Sequence, residues 1–69
     1  MDQIFQYVSL MSEIIAKQSI ILGPDIAILK AHNVSGLVMD NKGKVIEIKG
    51  EHEVVLQKLI NEYVELSGM

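Results

Sequence analysis

Leu37-Val38-Met39-Asp40-Asn41-Lys42-Gly43-Lys44-Val45-Ile46-Glu47-Ile48 is the stretch on which the fold turns. Two short apolar runs flank a cluster of turn formers. Asp and Asn side chains bond their own backbone, and glycine enters positive φ at little cost. The spacing predicts a β-hairpin over about 36–49 with the four-residue loop Asp40-Asn41-Lys42-Gly43 and Gly43 left-handed. In that register Met39 faces Lys44. Leu37, Met39, Ile46 and Ile48 then share one face, and Val38, Val45, Glu47 and Lys49 share the other. A three-residue loop with a bulge shifts the pairing by one and mixes the faces. The cleaner separation favours the four-residue loop. The same loop fails as a calcium site, because its third and fifth positions are lysines where oxygen ligands are required.

Outward from the hairpin the pattern is helical on both sides. Asp2, Gln6, Ser9, Glu13 and Lys17 recur at three- and four-residue spacing and draw a single polar stripe. That predicts a helix over about 2–22 with the rest of its circumference apolar. Pro24 breaks the pattern, because it lacks an N–H and its ring collides with the carbonyl four residues back. It also suits the first position of a second helix, about 24–33, with Asp25 at the positive end of the dipole and Asn33 as a left-handed terminator. After the hairpin, Val55, Leu56, Leu59, Ile60, Tyr63 and Leu66 give one side of a third helix, about 51–67. Glu51 and Glu53 lie in its first turn, and Gly68 is its stop. The expected architecture is α+β, a single small domain over 1–69 in the order helix, helix, hairpin, helix.

Sixty-nine residues bury only about 60% of the unfolded chain's surface, near the lower limit for independent folding. Cysteine is absent, so no disulfide or thiolate zinc site assists. Yet 49% of the residues are hydrophobic, with a mean hydropathy of +0.30. The first helix has more apolar positions than one core face uses. A surplus of this kind implies a covering partner, and closed two-fold symmetry is the commonest solution. The sequence therefore predicts a homodimer with Phe5, Val8, Met11 and Ile15 as candidate interface residues. An unidentified protein partner is the other way to cover them.

Six basic against nine acidic residues leave a net charge of −3, and all six basic residues are lysines. Phosphate neutralisation draws on a basic surplus that is missing here, and bidentate arginine readout is impossible. Nucleic acid is thus not an expected partner. No stretch approaches the ~20 apolar residues that span a bilayer, and the N-terminus lacks a positive n-region. The expectation is a cytoplasmic chain without membrane contact. His52-Glu53 opens like a zincin motif, but position 56 is Leu56 where the second histidine belongs. His32 falls at the end of the second helix, where it suits the dipole. A ligand set of His32, His52 and Asp40 would need three distant segments to converge. The serines have no histidine at local spacing. No catalytic, cofactor or metal residues are expected, and the chain is not expected to be an enzyme.

Two partial resemblances follow from these motifs. Val34-Ser35-Gly36, the strand Leu37-Val38-Met39 and the turn Asp40-Asn41-Lys42-Gly43 resemble the hairpin of roadblock-type domains, a phrase shared with PAS-type sensors. There a V-x-G opening, an apolar strand and a D-x-x-G turn follow a helix. The likeness covers helix, hairpin and following helix, without that family's further strands. It implies dimerisation and scaffolding of small GTPases rather than catalysis. Two helices and a hairpin also resemble a winged helix, with Lys42, Lys44 and Lys49 on the wing. The recognition helix would run from Pro24 to Asn33 and offer Lys30, His32 and Asn33 to a groove. The expected function is a non-catalytic protein–protein interaction or regulatory module acting as a homodimer. Its alternative is a winged-helix-like DNA-binding or ligand-sensing regulator.

Overall fold

The computed structural model describes residues 3–67. Helix α1 spans Gln3–Leu22, α2 Pro24–His32 and α3 His52–Ser67, with strands β1 (Leu37–Met39) and β2 (Val45–Ile48) between α2 and α3. The architecture is α+β: three helices and one antiparallel hairpin around a single core. Asp2 and Gly68, assigned to helix ends from the sequence, lie outside the described residues.

Each boundary has a local cause. Gly23 at φ +92° turns the chain, its N–H still donating to the Ser19 carbonyl (3.0 Å), and Pro24 opens α2. Asn33 is not left-handed as expected; it sits at φ −75° and continues the helical turn, its N–H donating to Lys30. The left-handed residue comes later, at Gly36, with φ +90°. A side chain there would also run into the carbonyl of Lys49, its neighbour across the hairpin, so Gly36 admits a close approach of the two chain segments that a β-carbon would block. Glu51 precedes α3, and its carbonyl accepts the first helical bond from Val55 (3.0 Å).

The hairpin corrects the expected register. Asp40 N–H donates to the Lys44 carbonyl (2.9 Å), and Gly43 N–H to the Asp40 carbonyl (3.2 Å). The loop is therefore the three residues Asn41-Lys42-Gly43, with Gly43 left-handed at φ +87°. Met39 pairs with Val45, not Lys44, and a bulge absorbs Ile46 before Val38 meets Glu47 and Leu37 meets Ile48. Val45 and Ile48 consequently point into the core, while Ile46 is exposed. The cause is the Asp40 side chain. One carboxylate oxygen accepts both the Lys42 and Lys44 N–H groups at 2.9 Å, which closes the loop one residue earlier than strand patterning suggests.

The core collects Met11 and Ile15 from α1, Ala27 and Ala31 from α2, Val45 and Ile48 from β2, and Val55, Leu59 and Tyr63 from α3. Two alanines on α2 let it lie close against its neighbours. The hairpin tip folds down onto the helices. Gly43 is buried, and a β-carbon there would stand 2.9 Å from Ile28 Cγ1 and 3.6 Å from Ile15 Cγ2. Ser12 Oγ accepts the Val45 N–H (3.1 Å), so α1 satisfies a backbone donor of β2. Tyr63 Oη donates to the Ala27 carbonyl (2.8 Å) and ties α3 to α2.

Candidate functional site

The four candidate interface residues do not form one surface. Met11 is fully buried and Ile15 nearly so, both inside the chain's own core. Val8 is half-buried against that core, and Phe5 alone is open, at 63% exposure. Met11 and Ile15 are corrected to core residues. Their stripe (Val8, Met11, Ile15, Leu22) packs into the core, and Ser12 and the hairpin tip dock beside it.

A second stripe was hidden in the same apolar arc. Tyr7, Leu10, Ile14, Lys17 and Ile21 follow the alternating three- and four-residue spacing of a helix–helix seam, turned about a quarter of the circumference from the core stripe. Tyr7 and Ile14 are half-buried against the core, while Leu10 is 45% exposed and Ile21 71%. Beside it runs the outer edge of α3. Tyr7, Leu10 and Leu56 line one cleft of about 300 Å³, with Gln3 and Gln6 at its edge. Ile14, Gln18, Ile60, Tyr63 and Val64 line a second of about 250 Å³. The numbers rise together on both helices, so α1 and α3 run parallel. The Tyr7 and His52 rings, 5.4 Å between centroids, mark their shared N-terminal end. None of the residues lining either cleft is charged. The signal that finds this groove is the double periodicity of α1, which a single broad apolar arc conceals.

Other aliphatic side chains flank the α1–α2 turn. Ile20, at 85% exposure, continues the line of the polar stripe Gln6, Ser9, Glu13 and Lys17, and Ile26 and Leu29 stand on the outer side of α2.

Ionisable groups are placed structurally. The Asp40 carboxyl is held below the ordinary carboxylate range, chiefly by the Lys44 N–H and further by the Lys42 N–H and the two lysine charges. Burial pushes the Tyr63 phenol up to about 12. Lys17 and Glu13 form an exposed pair at 4.0 Å, of the kind that contributes little to stability. His32 is exposed in the last turn of α2, and His52 lies against Tyr7. Among the described residues, no group of three or more His, Cys, Asp or Glu side chains is arranged to hold a metal ion. None of the described helices is long and apolar enough to cross a membrane. Comparison with protein-family models, curated proteins and solved structures gives no match to this chain.

Proposed function

We propose that this chain is a non-catalytic protein–protein interaction module that works as a homodimer. The observation that carries the reading is a row of exposed aliphatic side chains, Leu10 and Ile21 on the second stripe of α1 and Ile60 and Val64 beside them on α3. Fully burying one such side chain is worth about 1.5–3 kcal/mol, so leaving several in water forgoes a sum comparable to the domain's whole stability. The accessible surface, 4714 Å², is also about a tenth larger than the roughly 4,300 Å² expected for this mass. The polar groups with defined partners serve the fold: Asp40 closes a loop, Ser12 satisfies a strand, and Tyr63 joins two helices. The aliphatic side chains Ile20, Ile26 and Leu29, on the far side of α1 and α2, are where such a dimer would meet another protein.

Thermal unfolding at several protein concentrations tests the reading. A homodimer that unfolds to separated chains gains about 2.7 kcal/mol per mole of dimer over a hundredfold rise in concentration. The melting temperature should therefore climb by several degrees across that range. A melting temperature independent of concentration would overturn the proposal.

A further inference from the structure

The α1–α3 groove has the chemistry of a surface that fits its own copy, and we infer that it receives α1 of a second chain, antiparallel, about a two-fold axis. This rests on the homodimer reading and locates its interface. The stripe Gln3, Tyr7, Leu10, Ile14, Lys17, Ile21 has the spacing four, three, four, three, four, which reads the same in both directions. Reversed against itself, it sets Leu10 opposite the partner's Ile14, Tyr7 opposite the partner's Lys17, and Gln3 opposite the partner's Ile21. Antiparallel helix seams use this alternation.

The parallel run of α1 and α3 extends the match. The axis that centres α1 between Leu10 and Ile14 also centres α3 between Leu56 and Ile60, because Leu10 shares a cleft with Leu56, and Ile14 with Ile60. Two copies then form a four-helix layer with those apolar side chains at its middle.

Charge selects this partner. The chain carries −3 overall, but the clefts contain only glutamines, tyrosines and aliphatic residues. A two-fold contact on such an uncharged strip buries no unpaired charge near its axis. The one cation of the stripe, Lys17, falls opposite the end of the partner's groove where Tyr7 and Glu53 stand together, so it meets opposite charge. Size agrees as well. Helices of 20 and 16 residues are about 30 and 24 Å long. Side by side at 8–10 Å, they offer a face of roughly 500 Å² in projection, and more in accessible area. A standard interface takes about 800 Å² from each partner.

The chain's lack of cysteine makes the test direct. Chains carrying Gln3→Cys and Ile21→Cys are mixed, allowed to exchange and oxidised. The two positions lie about 27 Å apart along one helix, beyond the ~7 Å reach of a disulfide. The antiparallel seam yields the mixed product, a Gln3→Cys chain joined to an Ile21→Cys chain, and neither like-with-like product. Disulfides that join predominantly two Gln3→Cys chains or two Ile21→Cys chains, or no disulfide at all, would overturn it. In parallel, sedimentation velocity is run on the Leu10→Glu/Val64→Glu double variant and on Ile20→Glu. The first should be monomeric with unchanged helical circular dichroism, the second dimeric. A wild-type chain that sediments as a monomer overturns the homodimer reading and this interface together. A wild-type dimer that survives Leu10→Glu/Val64→Glu leaves the homodimer standing and removes only the groove.

Discussion

Replacing Tyr63 by phenylalanine removes one oxygen from a side chain that is 5% exposed and spans from α3 to α2. The lost bond to the Ala27 carbonyl is 2.8 Å long and buried. A net hydrogen bond contributes about 0.5–1.5 kcal/mol, and the Ala27 carbonyl, inside α2, keeps its intrahelical partner, so the loss is of that size. A domain of this size has only about 3–10 kcal/mol in total. The midpoint of thermal unfolding should therefore fall by roughly 3–10 °C. The phenol adds a pH signature. Its proton is held up to about 12 in the folded chain, against 10.0 for an ordinary tyrosine, because burial disfavours the phenolate. The folded state thus binds this proton more tightly than the unfolded state. The contribution is fully present below pH 10 and is lost as pH rises from 10 towards 12, about 2–3 kcal/mol in all. Urea unfolding of both chains from neutral pH to about 11 checks this, since the lysines titrate in both and cancel in the difference. The gap between wild type and Tyr63→Phe should stay flat to about pH 10 and then close. A gap that stays constant into the alkaline range, or is absent at neutral pH, refutes the buried clasp between α3 and α2.

The other expectations concern the turns and the core. Gly36→Ala places a β-carbon against the Lys49 carbonyl at φ +90° and should cost at least about 2–3 kcal/mol by urea unfolding. Gly43→Val, at φ +87° and against Ile28, should cost about 1–3 kcal/mol, and an unchanged midpoint for either chain would contradict the close approach at Gly36 or the loop. Met11→Glu puts a charge where no solvent reaches, so it should abolish folded circular dichroism rather than yield a folded monomer. Asp40→Ala should speed amide hydrogen exchange at Lys42 and Lys44. In the wild type the protection of these amides, relative to unstructured ones at the same pH, should be lost only on acidification below the ordinary aspartate pKa of 3.8, because the folded carboxyl titrates lower and its bonds persist until then.

Element order and fold class were legible because each depends on local chemistry. Pro24 after Gly23 divides two helices, and Asp40-Asn41-Lys42-Gly43 with flanking β-formers makes a hairpin wherever it lies. The faces of that hairpin were not legible from alternation. Asp40 closes the loop with its own carboxylate, and the resulting bulge at Ile46 turns Val45 inward. Helix α1 posed the harder problem. Its apolar arc is wide enough to hold two seam-like stripes, and periodicity alone does not tell which one faces inward. Ser12, which satisfies the Val45 N–H, and the hairpin tip beside Ile15 decide it by docking on the Met11 side. Only then do Leu10 and Ile21, the outer members of the second stripe, become the surplus, while Tyr7 and Ile14 lean on the core.

The central claim is that this surplus is covered by a second copy of the chain. Sedimentation equilibrium on the wild-type protein, over low to high micromolar concentrations and at moderate salt, tests it most directly. The expected mass is about 15 kDa at the upper concentrations, twice the 7.7 kDa of the chain. A single species of 7.7 kDa throughout that range would contradict the claim.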